Sequence, residues 1–193
     1  MARLVIVPDE TLDSLALSLR GRLPVIAQQV RAEHLDDLVD EHGRRVLVSA
    51  VTHAAAQELL LWGRSARAHV VGWTSLAPQH EVVGAATAST GEGVVGRVFA
   101  SGHSALASGS ELQAGVWTNL EERRGRGLDA LVAAPVVLFG KCVAVATLVS
   151  YRTDPASPAL GHDDAAELVE AVAVFRRLVE DRLVRACVGI ETV

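Results

Sequence analysis

Hydrophobic and polar positions change rhythm along this chain. ARLVIVP (2–8) is a short apolar run that reads as a strand or an arm. TLDSLALSLR follows, with Leu12, Leu15 and Leu19 at helical spacing behind Thr11 as a candidate cap. Pro24 suits the first turn of a second helix, which carries Ile26, Val30 and Leu38 through a charged stretch to a stop at Gly43. RRVLVSAVTHAAAQELLLW (44–62) is ambiguous. VLVSAV alone has the character of a buried strand, whereas AAAQELLLW has that of a helix with Gly63 as its stop. Taken whole, the stretch predicts one helix.

Beyond residue 63 strand-like runs and turn residues take over. RAHVVGWTSL (67–76) and HEVVGAATAS (80–89) read as strands joined by a turn at APQ. TGEGVVGRVFASGH (90–103) opens a short helix that Gly102 closes, and SALAS (104–108) is a brief strand. ELQAGVWTNLEERRGRG is irregular, with at most a short helix near 119–124. The clearest local signal is LVAAPVVLFGKCVAVATLVSY (131–151), where two β-branched runs flank Gly140-Lys141 as an antiparallel hairpin. The loop TDPASPALG leads to a long closing helix, HDDAAELVEAVAVFRRLVEDRLVRA, with Asp163 or Asp164 as cap. Leu168, Val172, Phe175, Leu178, Val179 and Leu183 form its apolar stripe.

Composition narrows the class. A chain of 193 residues suits one domain with an extension, here 1–43, a main domain over 44–188, and a tail at 189–193. Half the residues are hydrophobic but only 4% aromatic, so the core must be mostly Val, Leu and Ala. A net charge of −5 gives no overall attraction to nucleic acid or an anionic membrane, and neither is expected as a partner. No apolar run approaches the roughly 20 residues of a spanning helix, and MARLVIVPDE lacks the features of a signal peptide. Two cysteines, Cys142 and Cys187, are too few for a disulfide framework. The expectation is a soluble, cytoplasmic protein with reduced thiols.

TGEGVVGRVFASGH matches the dinucleotide-binding pattern G-x-G-x-x-G at Gly91, Gly93 and Gly96, with Glu111 placed like a ribose-binding acid. Such a loop needs a helix long enough to cross back over a parallel sheet. Gly96 to Gly102 leaves little more than two turns, the downstream strands form an antiparallel hairpin, and Glu92 sets a negative charge where a pyrophosphate would lie. A structural role for the glycines fits better: Gly91 and Gly93 turn the chain out of a strand, and Gly96 lets the short helix approach the sheet.

The order of GEGVVGRVFASGHSALAS (91–108), LEERRGRGLDALVAAPVVLFGKCVAVATLVS (120–150) and the helix from Asp163 resembles a GAF domain. The resemblance covers about residues 44–188. It implies an α+β fold of three layers, α/β/α, with a central antiparallel sheet, here preceded by a mostly helical extension. It also implies a PAS-like small-molecule sensor, non-enzymatic, whose terminal helices pair subunits into a homodimer. With no attached kinase, cyclase or DNA-binding segment, the chain is expected to act on a downstream signalling protein in trans. The N-K-F-D-E constellation of cyclic-nucleotide-binding members is absent, Cys142 and Cys187 are misplaced for a bilin, and they are too few for a free methionine sulfoxide reductase. The cofactor therefore stays unknown.

The family layout places a pocket between the sheet and segments 97–103 and 112–129. Its candidate lining is Trp73, Phe99, His103, Trp117 and Asn119, although Trp73 and Trp117 also suit plain core packing and His103 a turn. Leu168, Val172, Phe175, Val179 and Leu183 are the candidate dimer residues. Arg123, Arg124 and Arg126 adjoin Glu121 and Glu122 and read as a solvated loop. Ser104 lacks the strand and second glycine of a nucleophile elbow. The scattered histidines form no zinc motif, and no catalytic constellation emerges. A scaffold with a filled pocket, serving only protein interaction, is the alternative; a small enzyme on this fold is the third reading.

Overall fold

The computed structural model describes residues 9–31, 38, 42–43, 45–47, 58–64, 69–75, 86–109, 112, 128–151 and 160–188. The apolar segment 2–8, most of the irregular stretch after 109, and the tail at 189–193 lie outside them.

Six strands form one antiparallel sheet in the order β3-β2-β1-β6-β5-β4. They are β1 (Glu58–Arg64), β2 (His69–Ser75), β3 (Ala86–Ser89), β4 (Ala105–Ser108), β5 (Leu128–Leu138) and β6 (Lys141–Tyr151). Three helices have described bounds, α1 (Asp9–Gln29), α2 (Gly93–Ser101) and α3 (His162–Val188), and residues 38, 42–43 and 45–47 are helical as well. α1 and α3 pack on one face of the sheet and α2 on the other, which is the expected three-layer arrangement.

The expected helix over 44–62 is corrected. Arg45–Leu47 is helical, but ELLLWGR is strand β1, paired with β2 on one side and β6 on the other. Leu59 and Leu61 join the core beneath α3, while Leu60 and Trp62 join the core beneath α2. A strand buried on both faces needs a continuous apolar run, which cannot be told from a buried helix by periodicity alone. Gly63, expected as a stop, is buried inside the strand. Pro24 is also reassigned, since α1 runs unbroken from Asp9 to Gln29 with the proline inside it. Gly43 is itself helical and buried rather than a terminator.

The strand pair 131–139 and 142–151 forms the antiparallel hairpin, with its turn one residue earlier than expected. Phe139 (φ +48°) and Gly140 (φ +77°) occupy the two central positions, both left-handed, as a type I′ turn requires. Glycine adopts this conformation freely; Phe139 is held there by packing on the core and by its N–H, which donates to Glu180 Oε1 of α3 at 3.3 Å. Pro135 lies past Ala133, the last β5 residue paired with Ala105 of β4, where β5 has become an edge that tolerates proline.

The glycine motif does what its sequence suggests. A Cβ on Gly96 would lie 2.0 Å from the Ser89 carbonyl oxygen, so only glycine allows α2 to sit this close to the end of β3. The Gly91 N–H donates to the Gly96 carbonyl at 2.9 Å, and Gly91 and Gly93 both have positive φ. At the start of α3, Asp164 reaches back to accept the Gly161 N–H at 2.6 Å, the second half of a capping box, so Gly161 rather than an aspartate is the capping position.

The stripe Leu168, Val172, Phe175, Val179 and Leu183 is buried against the chain's own sheet, together with Ala27, Val30 and Leu47 from the N-terminal part. The five residues expected to meet a second subunit are therefore core residues of one subunit. The large apolar side chains left exposed on α3 are Val169 and Val174.

Candidate functional site

On the α2 face, the middle of the sheet is covered by Val94, Val95, Val98 and Phe99, which pack on Leu60, Trp62, Leu131, Ala133, Val145 and Val149. Within this layer the Trp62 indole N–H donates to Thr147 Oγ1 at 2.9 Å, and the Thr147 hydroxyl donates in turn to the Leu60 carbonyl at 3.4 Å. The one threonine in the central strand is thus paired rather than an isolated polar cost.

α2 ends after nine residues at Gly102, whose left-handed conformation (φ +70°) closes the helix with an N–H to the Val98 carbonyl. Beyond that end a cleft of about 610 Å³ opens between α2 and the β5–β6 turn. Arg64, Phe99, His103, Val137, Lys141 and Cys142 contribute to its wall. A second hollow of about 310 Å³ adjoins it at Gly102, His103 and Val137 and runs toward α3.

Arg64, the last residue of β1, is fixed from both layers. Its guanidinium lies 5.3 Å from the centre of the Phe99 ring, a cation–π distance, and one of its N–H groups donates to the Gln28 carbonyl at the end of α1 at 3.4 Å. Cys142 is set facing the cleft by a bulge. Val136 pairs with Ala144 and Val137 with Cys142, so Val143 is an extra residue that reverses the alternation. Burial raises the Cys142 thiol to about 11, against a backbone hydrogen bond from Ala144 and the field of Arg64, both of which pull it down.

No family model and no curated protein matches this chain. Solved structures do. The GAF domain of a phosphoenolpyruvate-protein phosphotransferase from Coxiella burnetii superposes with a TM-score of 0.55 at 10% identity, over 89% of this chain and 96% of that one. The GAF domain of a two-component sensor histidine kinase from Bacillus halodurans gives 0.54 at 12% identity, over 79% and 97%. The GAF-B domain of DevS from Mycobacterium smegmatis gives 0.53 at 13% identity, over 75% and 95%.

The chain has the GAF fold.

Within that GAF fold, the candidate residues from sequence separate. Phe99 and His103 both line the cleft, Phe99 nearly buried and His103 exposed. Trp73 is on β2, where it is the extra residue of a bulge: Leu61 pairs with Thr74 and Trp62 with Gly72. Trp117 and Asn119 lie outside the described residues, as do Arg123, Arg124 and Arg126. Sequence reasoning missed Arg64, Lys141 and the orientation of Cys142. Arg64 was hidden by the helical reading of residues 44–62, and the bulge that turns Cys142 has no signature in VVLFGKCVAV. Among the described residues no cluster of three metal-ligating side chains occurs, and no helix is long and apolar enough to cross a membrane.

Proposed function

We propose that this protein is a non-enzymatic sensory or regulatory GAF module that takes a small molecule in the cleft beyond α2 and works as a homodimer on a downstream signalling protein. The observation that carries the reading is the cleft itself. It has the volume of a small-ligand site, within the usual range of about 300–1,000 Å³, and it opens beside α2, with Gln28 at the end of α1 also on its wall. A fold alone does not decide between binding and catalysis, so the residues must. The thiol in this cleft, Cys142, is held protonated by burial, the wrong state for a nucleophile.

The homodimer reading rests on Val174 and Val169 of α3, which are 45% and 42% exposed. Sedimentation at micromolar concentration is expected to show a dimer that Val174→Glu dissociates; a monomer throughout would end this part of the proposal.

A filled-pocket scaffold has one observation in its favour: the middle of the α2 face is occupied by the chain's own Val94, Val95, Val98 and Phe99. A thermal-shift screen with nucleotides, amino acids, tetrapyrroles and fatty acids separates the two readings. Stabilisation by any of them supports sensing, and a blank screen supports the scaffold.

A further inference from the structure

The wall of the cleft has a charge unlike that of the chain. The protein carries a net charge of −5, yet among the described residues those lining the cleft include Arg64 and Lys141 and no aspartate or glutamate. The adjoining hollow adds Arg176, which is paired with Glu180 on α3 at 3.9 Å, and no carboxylate among its described lining residues. Among the described residues neither Arg64 nor Lys141 forms an ion pair. Arg64 is anchored by the Phe99 ring and by the Gln28 carbonyl, which occupies one of its five N–H donors. The remaining donors sit on a guanidinium already held in place, so little side-chain freedom is lost when a ligand arrives. Lys141, at the start of β6 just past the type I′ turn, brings a second positive charge to the rim.

The end of α2 opposes this. The carbonyl end of a helix carries roughly half a negative charge, screened by solvent, against two full cationic charges at Arg64 and Lys141. The balance in the cleft is positive. Its apolar surface comes from Val137, Ala100 and the edge of Phe99.

We propose that this cleft is an anion site, in which Arg64 and Lys141 hold the carboxylate or phosphate group of a small acid whose apolar body lies along Val137 and Ala100. The proposal rests on the sensory reading and names the ligand chemistry of the same cleft.

Calorimetric titration of the full chain tests it, with benzoate and phenyl phosphate as probes, inorganic phosphate as the headgroup alone, and benzamide as the neutral counterpart of benzoate. The expected result is binding of benzoate or phenyl phosphate that weakens with salt. Whichever of the two binds more tightly identifies the headgroup as carboxylate or phosphate. Arg64→Met is expected to weaken it about tenfold and Lys141→Gln about threefold, the latter at an exposed strand end where folding is not at stake. Benzamide binding as tightly as benzoate, or unchanged affinity in Lys141→Gln and Arg64→Met, would overturn the anion assignment while leaving sensing intact. Inorganic phosphate binding as tightly as phenyl phosphate would remove the apolar half of the proposal. If no probe of either charge binds and the thermal-shift screen is also blank, the sensory reading falls with it.

Discussion

Among the described residues, the two faces of the sheet differ in how much helix covers them. α3 has 27 residues and spans about 40 Å, enough to run the whole length of β5 and β6, whose 11 residues each extend about 36 Å. α2 has nine residues and covers about 13 Å of the opposite face. On the first face Phe175, Leu168 and Val179 are fully or almost fully buried beneath a continuous helix. On the second, among the described residues, the core is built around α2, and the cleft opens where that helix stops. The early stop is written in the sequence as Gly102. Core and site are thus divided by helix length on a shared set of strands, whose alternate residues serve one face or the other.

The comparison can be broken by substitution. Phe175→Ala is expected to cost about 3–5 kcal/mol in urea unfolding, because the long helix cannot collapse into the space. Phe99→Ala, beside an open cleft that water can enter, should cost clearly less. Equal losses would mean that the α2 face is as closed as the other. Gly96→Ala should cost about 3 kcal/mol, since α2 must lift from the Ser89 carbonyl and cannot do so without exposing Val95 and Phe99.

Next comes the thiol in the cleft. A shift from 9.0 to about 11 leaves Cys142 with roughly a hundredth of the normal thiolate fraction near neutrality. Exposed Cys187 should therefore react with a disulfide reagent faster than Cys142, resolved by mass spectrometry of the labelled peptides. The linkage has a definite sign. The folded state holds this proton more tightly than the unfolded one, so the contribution to stability is complete below pH 9 and is lost as pH rises toward 11. Thr147→Val removes the acceptor of the Trp62 indole N–H and should cost about 1–2 kcal/mol, with a change in near-ultraviolet circular dichroism. Smallest of all, Val174→Ala on the outer side of α3 should change monomer stability by less than about 0.5 kcal/mol.

Much of this architecture is legible in the sequence because local and global signals agree there. The hairpin, α3 and the glycine-bearing start of α2 each combine a period with a turn or cap, and they carry the resemblance on which the fold rests. β1 is not legible as a strand because its position is decided by neighbours on both sides. ELLLW is a good helix by composition, and only its place between β2 and β6 makes it a strand. The same ambiguity conceals Arg64, which belongs to the cleft only as the end of that strand. The positions of Phe99 and His103 beside the cleft are legible because α2 and its closing glycine are local. The orientation of Cys142 is not legible, because the bulge at Val143 that turns it toward α2 depends on pairing between strands. Trp117 and Asn119 lie outside the described residues.

Hydrogen exchange with and without saturating benzoate or phenyl phosphate, whichever binds more tightly, interrogates the division of labour between the faces most directly. Slowed exchange confined to residues 97–103 and 137–143, with α3 unchanged, is the predicted pattern. Slowing along α3, or across both faces alike, would contradict it.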